Sequence, residues 1–259
     1  RLYYMVDLAK IERYERESLL WYDEHVTVSQ RDALILRNWL GSARVVTIPN
    51  GVDTDYFFPG DEPEQPYSML FVGSFGLHPA NIDAALHLSR SIFPLVRRRL
   101  PQATLTIAGS GPPRSVRALA GDGVQVVADP PDIRPYMSRA SLVVLPLRSG
   151  AGTKVRVACA MAMGKAVLGT PVALEGIDVV AGEHAAVESE ETFADAAVEL
   201  LKDRQRRAVI GRRAREFAVT RLDWRVVGRQ AMRFYEQVPV LRMRTLCEKS
   251  AEQVQEAGA

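Results

Sequence analysis

Apolar residues along this chain come in short unbroken runs separated by polar stretches rich in Gly and Pro, a rhythm that dominates residues 68–188. Ser68–Val72, Thr104–Ala108, Val124–Val127, Leu142–Leu147 and Ala166–Leu168 read as strands buried on both faces, with a last short one near Ala185–Glu188. Helical spacing between them predicts a helix from Ala80 to Leu100, shorter ones at Ser115–Ala120 and Ile133–Ser138, and one that ends at Gly164. Such alternation predicts an α/β fold, a doubly wound parallel sheet covered by helices. Ligands of these sheets sit beyond the carboxyl ends of the strands. The loops Gly73–Gly76, Gly109–Pro113, Asp129–Asp132, Arg148–Thr153 and Thr170–Gly176 are therefore expected on one rim.

On the amino-terminal side, Lys10–Trp21 mixes helix formers with alternating charge and predicts a solvated helix with one apolar side. His25–Ser29 predicts a strand, Ser29 caps a helix that runs to Leu40 and closes at Gly41, and Val45–Ile48 is a further strand. Asn50-Gly51 is a turn signal, and the polar, Pro-bearing Gly60–Pro66 is the linker candidate. Beyond the sheet, Glu191–Lys202, Arg204–Val219 and Trp224–Gln237 predict C-terminal helices, Pro239 interrupts, and Met243–Ala259 reads as a loosely held helix.

The stretch most suggestive of chemistry is Ser149–Gly164, S-G-A-G-T-K-V-R-V-A-C-A-M-A-M-G. It joins a buried strand to a helix through glycines, which is a phosphate-binding layout. Gly150 and Gly152 allow a tight turn and close approach to a ligand, Thr153 is placed to cap the helix, and Lys154 adds a cation where the first-turn N–H groups point. Gly-rich turns of this kind also occur in α/β proteins that bind nothing there, so a structural turn is the alternative. The loop is not a Walker A sequence. Nor is Gly109-Ser-Gly-Pro-Pro-Arg114 a dinucleotide fingerprint, since Arg114 stands where Gly or Ala is needed, and this argues against a nicotinamide-dependent dehydrogenase.

Charge and cysteine content narrow the classes. Across 259 residues, 33 basic and 31 acidic side chains leave a net charge of +2, which gives no field suited to nucleic acid. Cys159 and Cys247 stand far apart, which argues against a disulfide framework or zinc site and fits a reducing cytoplasm. No apolar run approaches the roughly 18 residues a membrane span needs, and charged residues interrupt the N-terminus in a way no signal peptide tolerates. A start at Arg1 fits a piece of a longer protein.

Several stretches together resemble one family. Val46–Phe58 (V-T-I-P-N-G-V-D-T-D-Y-F-F), Pro94–Gly111 (P-L-V-R-R-R-L-P-Q-A-T-L-T-I-A-G-S-G), Asp132–Leu147, the Gly loop with A-M-A-M-G, and Leu222-Asp-Trp224 follow in the order found in retaining, nucleotide-sugar-dependent glycosyltransferases of the GT-B type, family 4. The likeness runs from about Glu12 to Gln237. It implies two Rossmann-like domains, an N-terminal one for a glycan or lipid-linked acceptor and a C-terminal one for a UDP- or GDP-sugar, with catalysis between them and no metal or other cofactor. On that pattern residues 1–45 are the remnant of the acceptor domain, 46–66 the interdomain joint and linker, 67–220 the donor domain, and 221–259 the crossing helix and tail. The catalytic groups of the absent domain have no counterpart here, so this chain is expected to be inactive alone.

The resemblance also assigns roles. Gly150, Gly152, Thr153 and Lys154 match positions that hold the donor diphosphate, joined by Gly73 and Ser74, although Ser74 replaces an arginine common in relatives. Two glutamates with seven residues between them correspond to Ala151 and Cys159, and the second normally accepts hydrogen bonds from the nucleotide ribose. Losing such charge-assisted bonds costs ~1.5–3 kcal/mol, about tenfold to 150-fold in affinity. Cys159 sits among Ala and Met and is expected to pack as a small apolar side chain. Glu175 and Gly176 are candidates for sugar contact, and His78 is the one histidine in a rim loop. Arg97–Arg99 and the arginines of Arg204–Arg215 read as solvated helix faces, with peripheral contact to anionic lipid headgroups as the alternative. A degenerate, non-catalytic nucleotide-binding or scaffold module is the competing functional class.

Overall fold

The structure, a computed structural model, describes residues 2–41, 44–76, 78–150 and 152–238. Ala151, the Pro239 break, Cys247 and the helix expected at Met243–Ala259 lie outside the described residues. In chain order the elements are α1 (Leu2–Leu19), β1 (Glu24–Thr27), α2 (Gln30–Leu40), β2 (Arg44–Thr47), β3 (Ser68–Ser74), α3 (Pro79–His87), α4 (Phe93–Arg99), β4 (Thr104–Ser110), α5 (Arg114–Arg117), β5 (Val124–Ala128), α6 (Arg134–Arg139), β6 (Leu142–Leu145), α7 (Val155–Ala162), β7 (Val167–Gly169), α8 (Pro171–Leu174), β8 (Ala186–Val187), α9 (Phe193–Lys202), α10 (Arg204–Phe217) and α11 (Trp224–Glu236). They fall into two compact units, one drawn from the residues before Pro49 and after Trp224, the other spanning Pro49–Trp224.

In the smaller unit β1 and β2 pair in parallel, from Glu24 opposite Arg44 to Thr27 opposite Thr47. The helix between them has the ends its residues predict: Ser29 Oγ accepts from Asp32 N, and Gly41, at φ 63°, donates to Arg37 O. The apolar side of α1 stays open, with Met5, Leu8, Ile11 and Tyr14 each 55–66% exposed.

The larger unit is built on a six-stranded parallel sheet of order β5-β4-β3-β6-β7-β8. Its central strands are largely apolar because helices flank the sheet: all four residues of β6 are buried, as are Met69, Leu70 and Phe71 in β3. One hydrophobic cluster joins these strands to Val96, Val157, Met161, Phe193 and Ile210 of the surrounding helices. The Asn50-Gly51 turn is fixed from the far end of the unit. Val52 N donates to Leu222 O at 2.7 Å and Trp224 N to Val52 O at 3.2 Å, while a Cβ on Gly51 would run into the Trp224 indole.

Four expectations are revised. The long helix over Ala80–Leu100 is α3 and α4 joined by a wide π-turn at Leu88–Ile92, where Phe93 N reaches Leu88 O. Pro94 follows directly, and the widened turn accommodates a residue with no N–H to donate. The helix over Ser115–Ala120 shrinks to the single turn of α5; beyond it Leu119 N donates to Val116 O and Ala120 N to Arg117 O in tighter turns that lead to Gly121 and Gly123 at positive φ. The polar stretch from Gly60 to Pro66 lies inside the larger unit, held by Glu62 to Arg139, Glu64 to Arg207, and Gln65 N to Arg139 O at 2.8 Å. The arginines of α10 also differ from a uniformly solvated face. Arg207 is buried and Arg215 is half-buried against main-chain carbonyls, whereas Arg97 and Arg99 pair at the surface with Asp122 and Asp195.

At the carboxyl ends of β3 and β4 the two main chains meet without side chains between them. A Cβ on Gly109 would coincide with the carbonyl oxygen of Gly73, its partner in the ladder. Gly109→Ala is therefore expected to push these strands apart and cost about 3 kcal/mol or more. Urea unfolding checks this, and an unchanged midpoint would refute the close approach.

Candidate functional site

Sheet order reverses between β3 and β6: β4 and β5 extend to one side of β3, β7 and β8 to the far side of β6. That reversal marks the topological switch point, where a doubly wound sheet opens a crevice at the carboxyl ends of its strands. The loop leaving β3 and the loop leaving β6 flank it, so Gly73–Gly76 and the described residues Arg148–Gly150, Gly152 and Thr153 come to one place although more than seventy residues separate them in sequence. A Cβ on Gly150 would lie 3.8 Å from Ala80 Cβ, at the start of α3, so the glycine loop faces that helix directly.

Gly150 at φ 127° and Gly152 at φ 73° hold backbone conformations that side-chain-bearing residues rarely adopt. Their turn delivers the chain into α7, and Gly164 ends that helix at φ 67° as expected. Thr153 does not cap α7. Lys154 takes the N-cap position, no side chain makes the cap bond, and Thr153 Oγ1 is buried without a hydrogen-bond partner. The turn at Gly152 sets the helix start one residue later than the hydroxyl could serve. Lys154 itself is 7% exposed and folds back on its own loop, Nζ donating to Gly152 O at 2.7 Å. Its charge is thus held at the loop.

Arg156, which sequence reasoning passed over, does the joining. Its Nη1 donates to Val72 O at 2.9 Å and its Nη2 to Asn81 Oδ1 at 2.7 Å. Asn81 is buried and donates in turn to Ser74 O at 2.5 Å. One guanidinium on α7 thereby positions the end of β3, the first turn of α3 and the main chain at Ser74. Burial lowers the Arg156 pKa from its usual value, and no carboxylate pairs with it among the described residues. A single arginine inside the otherwise apolar run V-R-V-A-C-A-M-A was the available signal. At the outer edge Arg148 grips Asp83 at 2.6 and 3.0 Å, holding that carboxyl below its ordinary range, and approaches Glu190 at 3.5 Å.

The remaining rim loops are tied to these two. Ser110 Oγ lies 3.1 Å from Ser74 Oγ, and Asp129, at φ 49°, accepts from Gly111 N at 2.8 Å while its own N–H donates to Gly109 O. Thr170 caps α8 and donates through Oγ1 to Leu147 O at 2.5 Å, placing Glu175 and Gly176 on the same edge, Gly176 at φ 83°. Both are half-buried. His78 is exposed at the start of α3 without a side-chain cap bond. Of the other histidines, His87 Nε2 lies 3.1 Å from Glu190 Oε1 beside the Arg148–Asp83 pair, His184 accepts from Val180 N and packs on Phe217, and His25 belongs to the smaller unit. Cys159 is 8% exposed within the hydrophobic cluster, and burial pushes its thiol up to about 12. That placement matches a packed apolar side chain and removes a nucleophilic cysteine from consideration.

The model of the family described as Glycosyl transferases group 1 matches residues 66–203. The chain belongs to this family. It is 29% identical over 240 residues to the phosphatidyl-myo-inositol mannosyltransferase of Mycolicibacterium smegmatis, covering 86% of this chain and 61% of that protein. Among solved structures it resembles sucrose-phosphate synthase from Thermosynechococcus elongatus, with TM-score 0.69 and 21% identity over 83% of this chain and 58% of that one. Anabaena HepE in complex with UDP gives TM-score 0.68 and 16% identity over 82% and 63%. At these identities the structural likeness establishes the Rossmann-like GT-B fold, and the chain spans about three fifths of the length of such relatives.

Removing the guanidinium of Arg156 leaves Val72 O and Asn81 Oδ1 without their charged donor. Arg156→Met is expected to destabilise the chain by about 2–4 kcal/mol, measured by urea unfolding; a loss below about 0.5 kcal/mol would show that the link is unimportant. A thiol at about 12 is essentially all protonated at pH 8. Peptide mapping after treatment with a thiol reagent should therefore find Cys159 unmodified in the native chain and modified after unfolding; rapid native labelling would contradict its burial.

Proposed function

We propose that this chain is the donor-binding half of a retaining glycosyltransferase that moves a sugar from a nucleoside diphosphate to a hydroxyl acceptor. The observation that carries this reading is the glycine loop with Lys154, set at the switch point of the sheet in a chain of this family. In the proposed reaction the bond between the anomeric carbon and the diphosphate oxygen breaks, the acceptor oxygen bonds that carbon on the same face, and the acceptor proton is lost. Charge gathers on the departing diphosphate. Main-chain donors at Gly150–Thr153 and the Lys154 ammonium are the groups proposed to stabilise it, with Gly73 and Ser74 on the facing loop, and the reading calls for no metal. Glu175 and Gly176 are proposed to meet the sugar.

Relatives support the donor class. HepE was solved with UDP and with UDP-glucose, and the mycobacterial relative is named for mannosyl transfer to a phosphatidyl-inositol. A glycan or lipid-linked acceptor would be bound by chain beyond this one, and the exposed apolar side of α1 offers a surface for it to cover. With Cys159 in place of an acceptor for the ribose hydroxyls, donor affinity is expected at the weak end of the range.

Calorimetric titration of the chain with UDP, GDP and ADP tests the proposal. One of the nucleotides should bind at about micromolar strength and lose at least about tenfold in affinity in Lys154→Ala. No binding to any of the three, or binding indifferent to Lys154→Ala, would overturn it.

A further inference from the structure

At the opposite edge of the sheet, where β6 and β7 begin, the larger unit opens a second cavity of about 480 Å³. Ser141 and Ala166, just before those strands, form part of its wall, with Gly164 and α10 completing it. Five basic side chains, Lys165, Arg204, Arg207, Arg212 and Arg215, line it against two acidic ones, Glu64 and Glu216. Such an excess inside one concavity is unusual in a chain whose charges otherwise nearly balance.

What holds each cation differs. Arg215 is engaged by the main-chain carbonyls of Thr54, Phe57 and Ala162. Arg207, 5% exposed, donates through Nη1 to Leu200 O and Leu201 O at the carboxyl end of α9 and through Nη2 to Glu64 Oε1 at 2.5 Å. Its Nε is buried without a partner. Lys165 donates to Ser138 O at 3.0 Å and stands 4.0 Å from Glu64 Oε2. One carboxylate therefore serves two desolvated cations. Burial accordingly pulls the Lys165 pKa down, with Arg207 adding to the fall and Glu64 opposing it. Arg204 and Arg212 line the same cavity, are exposed, and have no carboxylate partner among the described residues.

Positive charge that is partly buried and under-compensated is costly until an anion joins it. We propose that this cleft binds a phosphate-bearing anion, gripped by Arg204 and Arg212 against the fixed positive wall of Lys165 and Arg207. Planar guanidinium groups match phosphate oxygens in pairs, and the volume suits a small phosphorylated molecule. A phospholipid headgroup offers the same chemistry. Because the cleft lies at the amino ends of the strands and the glycine loops at their carboxyl ends, its ligand is distinct from the proposed sugar donor.

Calorimetric titration of the chain with inorganic phosphate, beside co-sedimentation with vesicles of phosphatidylcholine alone or of phosphatidylcholine and phosphatidylglycerol in equal parts, separates the sources. Saturable phosphate binding without vesicle binding identifies a soluble ligand; binding only to the anionic vesicles identifies a headgroup. In either case Arg204→Ala/Arg212→Ala should weaken the interaction by about tenfold or more, and the single exposed change Arg212→Glu should abolish it. Both variants keep the buried pair, and an unchanged thermal midpoint confirms their fold. Lys154→Ala should leave the interaction intact. Absence of binding in both assays, insensitivity to the Arg204 and Arg212 changes, or loss in Lys154→Ala would each overturn the proposal.

Discussion

Parallel pairing of β3 with β6 is the contact on which the larger unit turns. Sequence neighbours would pair in order, but here β3 takes β4 on one side and a strand from much later in the chain on the other. The sheet must then be wound in both directions from its middle, and the loops leaving the two central strands part around a crevice. Every group considered for ligand binding at the carboxyl edge is there because of that one pairing. The hydrophobic drive behind it is plain: Leu142–Leu145 and Met69–Phe71 bury nearly all their surface in the same cluster.

Inside the crevice the charge has been redistributed relative to the pattern the family resemblance suggested. Ser74 carries no cation and Cys159 no anion, yet the site is not electrically empty. Arg156 stands behind the β3 loop through Asn81, Lys154 is folded onto the glycine turn, and Arg148 closes the outer edge against Asp83. Arg156 ties the end of β3 to the first turn of α3 through Val72 O and Asn81 Oδ1. The local potential it leaves behind remains positive, because a guanidinium stays protonated through neutral pH even when burial lowers its pKa.

How legible this was depended on the kind of signal. Buried parallel strands need no polar alternation, so Ser68–Val72 and Leu142–Leu147 could be read as apolar runs, and glycine conformations at Gly41 and Gly164 followed from their position after a helical pattern. Side chains that act across long sequence distances were not legible. Arg156 meets residues of β3 and α3 that periodicity cannot bring to it, and Arg207 looked like part of a solvated basic face until Glu64 and the end of α9 were seen to enclose it. Thr153 failed as a cap for a local reason, because φ at Gly152 delayed the helix start by one residue. The wide turn before Pro94 is intermediate: the proline was visible, and the extra residue that relieves it was not.

The meeting of Gly73 and Gly109 has a further consequence for the rim of the sheet. That joint is made by main chain, with the Phe71 and Phe75 rings packed over Gly73. Ser74 beside it is exposed, and its hydroxyl meets Ser110 Oγ at 3.1 Å, outside the main-chain contact. Strand joining and the chemistry displayed at the rim thereby rest on different atoms at one edge of the molecule. The strands can stay joined while the exposed side chains at their ends differ.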